Sequence, residues 1–307
     1  MSEGSSALFE TALAFPDPDA RRRLDRLVGL DDQKRRLGQQ LSTLIDSASV
    51  EAWAKEHGYS ESRFLMDTFA ARPPLIILEG DVGCGKTELA ESIPDIVARQ
   101  LGLEITLYPL SLSARGQGLV GEMTRLISSA FDEVLSAAKK MSGLPRPKAG
   151  AVLLIDEADA LAQTREASQM HHEDKAGVNA LIRGINRLSV KDIPAAVIMC
   201  TNRLSALDPA IRRRAADVIR FERPDEEQRA YALTRVLEGT NLTSQNFAAL
   251  AKATGANATR EHGMTYSDIT QKFLPSLILA AYPDNAITFA LAISVVHTVS
   301  STPPFME

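Results

Sequence analysis

Between residues 75 and 221, short runs that are apolar at nearly every position alternate with longer stretches of helical spacing. The runs cover 75–78, 105–110, 152–155, 196–200 and 218–221, with helices predicted at about 86–101, 121–141, 174–188 and 208–214. Strands that are apolar on both sides suit a parallel sheet covered by helices on both faces. The alternation therefore predicts an α/β fold, a doubly wound five-stranded parallel sheet, although Thr106 and Arg220 interrupt two of its runs. Upstream, Leu24, Leu27, Leu30, Leu37, Leu41 and Leu44 keep helical spacing over 19–47. Residues 48–72, with Trp53, Tyr59, Phe64, Leu65 and Phe69, predict one or two short helices stopped by Pro73-Pro74.

Near Pro224 the pattern changes to helices alone, at 226–237, 243–253, about 265–281 and 287–299. Asp225 with Gln228 three residues on reads as an N-cap with its capping-box partner. The expected organisation is an N-terminal segment 1–25, a large α/β domain 26–222 and a small all-helical domain 223–307.

Composition narrows the function classes. A net charge of −5 gives no electrostatic reason for nucleic acid as the main partner, because DNA binders carry a basic patch or excess. The two cysteines, Cys84 and Cys200, have no metal-site or paired spacing, so a reduced cytoplasmic compartment is expected. The N-terminal stretch is acidic before it is basic and has no long apolar run, unlike a secretory leader. Residues 287–299 are apolar but too short for a membrane span, and Thr288, Ser294 and His297 interrupt them.

The chemistry concentrates at strand ends. Gly80-Asp81-Val82-Gly83-Cys84-Gly85-Lys86-Thr87 matches G-x-x-x-x-G-K-[ST], with an apolar run before it and a helical stretch after it, and residues 81–87 together with Glu88 are expected to bind the nucleotide. Glycines at these positions let backbone N–H groups turn inward around phosphate oxygens at the positive end of a helix. Lys86 is expected on the β- and γ-phosphates, and the Thr87 hydroxyl on Mg²⁺, so ATP with Mg²⁺ is the expected cofactor. The run at 152–155 delivers Asp156 and Glu157, one carboxylate for the metal's shell and one to orient and deprotonate water. The fourth run ends at Thr201-Asn202, where the Asn202 amide is expected to help fix that water.

Asp208-Pro209-Ala210-Ile211 leads into Arg212, Arg213 and Arg214. Three consecutive arginines spread around a helix and cannot share one salt-bridge face. They form either a solvated basic helix end or a set from which Arg213 or Arg214 reaches a neighbouring subunit's γ-phosphate, which requires an oligomer.

The ordered set of phosphate loop, acidic pair, strand-end Asn, LDPAIRRR and helical lid resembles the AAA+ ATPases over roughly residues 26 to 300. The resemblance implies a ring, usually a hexamer, with nucleotide between subunits, and it places Val28 and Gly29 against adenine. Within the protein-remodelling branch, residues 178–186, Arg214-Ala215-Ala216-Asp217 and Lys272-Phe273-Leu274-Pro275 are similar to the pachytene-checkpoint type, which unfolds part of HORMA-domain proteins. Small bacterial members of that type accompany HORMA proteins in anti-phage operons, and a chain of 307 residues is expected to lack an N-terminal adaptor. The resemblance makes Leu119 and Val120, flanked by Gly116, Gly118 and Gly121, a substrate-gripping pore loop, with an aliphatic residue in place of the usual aromatic. A second pore loop is expected over 168–175, where His171 and His172 read as polar loop residues, not as a metal site. After Tyr266 the lid carries Ser267-Asp268 where a checkpoint-type enzyme has a nucleotide-sensing arginine. The resulting expectation is an ATPase that threads a protein client, with a HORMA-domain protein first in line and no membrane partner. The alternative is an AAA+ nucleic-acid motor or helicase loader.

Overall fold

A computed structural model of the chain describes residues 9–305, apart from 60, 111–121, 142–146, 162–171, 191 and 259. Leu119, Val120 and residues 168–171 of the two expected pore loops lie outside the described residues.

The helices before the first long strand are α1 (Pro18–Arg26), α2 (Asp31–Ile45), α3 (Ser47–Glu56) and α4 (Arg63–Ala70). The leucine spacing over 19–47 does not form one helix. Gly29, at φ 77°, breaks it between α1 and α2. The strands are β1 (Leu13–Phe15), β2 (Leu75–Gly80), β3 (Glu104–Pro109), β4 (Ala149–Ile155), β5 (Ala195–Thr201) and β6 (Asp217–Phe221). Between them run α5 (Lys86–Leu101), α6 (Glu122–Met141), α7 (Ala158–Leu161), α8 (His172–Leu188) and α9 (Pro209–Arg212). The C-terminal helices are α10 (Glu226–Val236), α11 (Ser244–Ala253), α12 (Leu274–Ala281) and α13 (Phe289–Thr298), with a π-helical stretch Asp268–Phe273 leading into α12.

The strands form one sheet in the order β1-β3-β4-β5-β2-β6. β3 and β4, β4 and β5, and β5 and β2 pair in parallel, as the apolar runs predict. The sheet has one strand more than the five expected: β1 pairs antiparallel with β3, with Leu13 opposite Leu107.

Strand alternation sorts the core. Ile77, Leu153, Ile155, Val197 and Met199 join Phe131, Val134, Leu181 and Ile185 of α6 and α8 in one buried cluster. Their neighbours Ile76, Leu78, Val152, Leu154 and Ile198, also buried, occupy the other face, where Ile45 of α2 lies against Gly150.

The chain divides into two compact units. The first comprises residues 1–24, 32–79 and 87–220. The second comprises 25–31, 80–86 and 221–307, so most of the phosphate loop groups with the C-terminal helices. Within the second unit, Leu233, Leu250, Ile269, Phe273, Leu277 and Val296 are buried. Asp225 accepts from Gln228 N–H, and the Gln228 side chain returns the bond, the capping box expected at the start of α10. Arg229 and Arg260 are buried arginines that donate to backbone carbonyls. The Arg229 guanidinium donates to the Pro224 and Ala251 carbonyls, and that of Arg260 to Val296 and Val299 at the end of α13.

Candidate active site

In the second unit, the phosphate loop adopts the backbone its glycines allow. Gly83 and Gly85 sit at φ 74° and 89°, in the left-handed region that side chains disfavour. A Cβ on Gly83 would fall 2.7 Å from the Thr265 hydroxyl, and one on Gly85 2.9 Å from Leu30. Gly80 is tighter still: a Cβ there would fall 1.9 Å from the Phe221 carbonyl.

Lys86 is buried, and its ammonium donates to the carbonyls of Gly80 and Asp81, both at 2.8 Å. Both of these acceptors are neutral carbonyls of the loop itself, and the loop's glycines leave its N–H groups free of side-chain bulk. The residues present therefore fit a nucleotide's phosphates. Cys84 is buried, and burial pushes its thiol up to about 11, so it serves as packing and not as a nucleophile. Val82 is exposed.

Val28 and Gly29 lie half-buried between α1 and α2. The Tyr266 hydroxyl donates to the Gly29 carbonyl at 3.3 Å, and burial pushes that phenol up to about 12. Ser267 N–H donates to the Gly83 carbonyl at 3.1 Å. Asp268 is fully buried and turned to Thr265, Lys272 and Thr302.

In the first unit, Thr87 lies in the first turn of α5 and its hydroxyl donates to Asp156 Oδ2 at 2.9 Å. This hydroxyl and carboxylate are an oxygen pair of the kind Mg²⁺ takes together with waters and phosphate oxygens. Asp156 Oδ1 accepts Glu157 N–H at 2.8 Å, which turns the next residue outward. Glu157 is exposed at φ 48°, a conformation that costs an ordinary side chain free energy and persists where the surroundings enforce it. Glu88, by contrast, faces α1, with Arg23 Nε 3.5 Å from its carboxylate.

Thr201, buried at the end of β5, donates to Asp159 and accepts Arg203 N–H, which fixes the backbone around half-buried Asn202. Asp208 caps α9 by accepting Ala210 N–H. Of the three arginines that follow, Arg214 is held by its own chain, donating to Asn186 Oδ1 and the Ala210 carbonyl. Arg212 keeps Nε buried. Arg213 is exposed, and its side chain has no hydrogen-bond partner among the described residues. Asp217, just beyond, is paired with Arg36 of α2 and accepts from Gln40.

The model for the AAA family, ATPases associated with various cellular activities, matches residues 76–223. CD-NTase-associated protein 6 of Escherichia coli (strain MS 115-1) is 54% identical over 301 residues, covering 98% of this chain and 96% of that protein. The chain belongs to the AAA ATPase family. Among solved structures, it superposes with a TM-score of 0.90 and 52% identity on a chain of an E. coli MS115-1 HORMA:CdnC:Trip13 complex, covering 98% of both chains. It also superposes on a Rhizobiales Trip13 with a TM-score of 0.77 and 45% identity, covering 97% of this chain and all of that one. Nucleotide binding comes with AAA membership, and the geometry of residues 80–87 suits it.

Sequence reasoning missed Arg223, whose guanidinium lies on the Asp81 carboxylate. A signal was present, since an acid inside an anion-binding loop calls for a compensating cation. Nothing local identifies which arginine supplies it. Phe305, whose N–H also reaches Asp81, carried no signal at all.

Proposed function

We propose that this chain is a ring-forming ATPase that hydrolyses ATP with Mg²⁺ and uses the cycle to remodel or partly unfold a HORMA-domain protein. The observation carrying hydrolysis is the strand-end arrangement in which Asp156 holds Thr87 while Glu157 stands exposed beside it. Bound ATP supplies the phosphoanhydride bond that is broken, and Mg²⁺ offsets its charge. The chain's own residues do the rest. Val28 and Gly29 hold the adenine end. Residues 80–86 cradle the phosphates, Thr87 and Asp156 hold the metal, Glu157 takes the proton of the attacking water, and Asn202 orients that water.

The arginines act on the next copy's site, which makes the ring part of the chemistry. Arg213 suits that role better than Arg214, because it is exposed and has no side-chain partner among the described residues, while Arg214 is tied to Asn186. The HORMA client is supported by the similarity to the chain in the HORMA:CdnC:Trip13 complex. Work on that client passes through Leu119 and Val120 in the ring's pore, in the cytoplasm, as part of anti-phage defence.

Glu157→Gln tests the reading. It keeps shape and metal-binding geometry while removing the base, so ATP turnover should fall by about a hundredfold or more with nucleotide affinity retained. The same variant should co-purify with its HORMA client. Turnover within a factor of two of wild type would sink Glu157 as the base.

A further inference from the structure

Asp81 occupies a variable position of the phosphate loop, where the motif asks nothing of the side chain. Its carboxylate is nonetheless fully engaged. Oδ1 accepts Val82 N–H at 2.8 Å and Phe305 N–H at 2.9 Å, while Oδ2 accepts Arg223 Nε. The other two nitrogens of Arg223 donate to the Gly263 carbonyl at 3.0 Å and the Thr302 carbonyl at 2.8 Å. Thr302 gives both its N–H and its hydroxyl to buried Asp268, which also accepts Thr265 N–H. From the same turn, Ser267 N–H donates to Gly83, two residues beyond Asp81. The bonds thus form a circuit that leaves the phosphate loop at Asp81 and returns to it at Gly83. All of it lies within the second unit.

We propose that Arg223 and the C-terminal strap of residues 302–305 are positioning elements of the nucleotide site, holding the phosphate loop in its binding-competent form. The inference rests on reading residues 80–87 as that site.

Two physical effects support it. A glycine-rich loop loses conformational entropy when it orders around an anion, and a loop ordered beforehand avoids that loss at binding. The strap orders it through the Asp81 carboxylate, which takes Phe305 N–H and the loop's own Val82 N–H on one oxygen. The second effect is charge. Asp81 is an anion placed among groups that must receive phosphates, and Arg223 neutralises it with a partly buried ion pair, each side chain 18% exposed. Without Arg223, the uncompensated carboxylate repels a ligand in proportion to its phosphate charge.

The test uses the full chain, a fluorescent ADP analogue and AMP for affinity, and hydrogen exchange over residues 80–86. Phe305→Pro removes one N–H donor from the strap and nothing else of the circuit, and Phe305→Ala keeps that donor. We expect Phe305→Pro to weaken ADP binding about fivefold and to speed exchange over 80–86, with Phe305→Ala within twofold of wild type. Arg223→Ala should weaken ADP about tenfold and AMP much less, and adding Asp81→Asn should recover most of the ADP loss. Wild-type ADP affinity in both Phe305→Pro and Arg223→Ala would overturn the proposal. So would faster exchange spread evenly over residues 221–305 without an affinity change, which marks a brace for the helical unit alone. If Arg223→Ala does not fold, the Phe305 pair decides. Failure of wild-type protein to bind ADP at all would instead sink the nucleotide site, and this inference with it.

Discussion

Replacing Asp268 by Asn should destabilise the C-terminal helical unit by about 2.5 kcal/mol at neutral pH, by an amount that depends on pH in a defined way. The carboxylate is fully buried, and each oxygen has two donors. Oδ2 accepts Thr265 N–H and Thr302 N–H, both at 3.0 Å. Oδ1 accepts the Thr302 hydroxyl at 2.7 Å and the Lys272 ammonium at 2.6 Å. Burial alone would raise the carboxyl's pKa, but these four donors outweigh it and hold it down at about 2. An unfolded aspartate titrates near 3.9, so the displacement of nearly two pH units corresponds to about 2.5 kcal/mol favouring the folded, charged form. An asparagine oxygen at the Oδ2 position keeps both backbone donors. Its amide nitrogen then faces Lys272, donor against donor, and that contribution disappears.

Because the folded pKa is depressed, the contribution is fully present above about pH 4 and is lost as pH falls toward 2. Local opening free energies from hydrogen exchange over 265–273 should therefore differ between wild type and variant by the same amount at pH 7 and pH 5. In urea unfolding followed by circular dichroism, that gap should close between about pH 4 and 2. A gap below about 0.5 kcal/mol at pH 7, or one that stays constant down to pH 2, would refute the idea that charge, and not shape, makes Asp268 matter.

Three further outcomes are expected. Gly184→Ala should destabilise the α/β unit by about 1–2 kcal/mol in urea melts, although alanine is the better helix former by about 1 kcal/mol. Its Cβ would fall 2.4 Å from the ring of fully buried Phe131, so α6 and α8 cannot keep their spacing. Asp225→Ala should cost about 1 kcal/mol by removing the reciprocal cap of α10, with Asp225→Asn near neutral by the same melts. Native protein should resist iodoacetamide at pH 8, read by mass spectrometry, because both cysteines are buried and the Cys84 thiol is raised to about 11.

The strands legible in the sequence are those whose two faces are both covered. The runs at 75–78, 152–155 and 196–200 fall inside β2, β4 and β5, the interior of the sheet, where every position is apolar because helices lie on both sides. The interrupted runs are nearer the edges. Arg220 lies on terminal strand β6, exposed and paired with Glu79, and Thr106 lies on β3 opposite Ala14 of the edge strand. β1 itself has three residues, and its pairing with β3 is a long-range one that no local pattern encodes. The break at Gly29 was invisible to leucine spacing for the opposite reason, since Leu27 and Leu30 keep the helical period across it and pack near Gly85. Within the candidate site, the fixed letters of the phosphate loop are legible because they specify backbone conformation. The partners of Asp81 lie 142 and 224 residues away, and charge alone does not select them.

That difference bears on how the C-terminal unit takes part in nucleotide handling. Ser267-Asp268 stands where the resemblance to the checkpoint type implies an arginine, and both residues are committed to protein groups. The Ser267 N–H is engaged by the Gly83 carbonyl, and the Asp268 charge is answered by Lys272 and Thr302. Neither is positioned as a cation for phosphate, so on the proposed reading the positive charge comes from Lys86, the start of α5 and an arginine of the next copy. What the C-terminal unit supplies instead is shape. Tyr266 holds Gly29, Ser267 holds Gly83, and the Asp81 ion pair neutralises the one acid in the loop. Variants of this unit should then shift nucleotide affinity with little effect on turnover at saturating ATP, whereas variants of Glu157 or Arg213 should do the reverse. A Tyr266→Phe variant that lost turnover without losing affinity would contradict that division of labour.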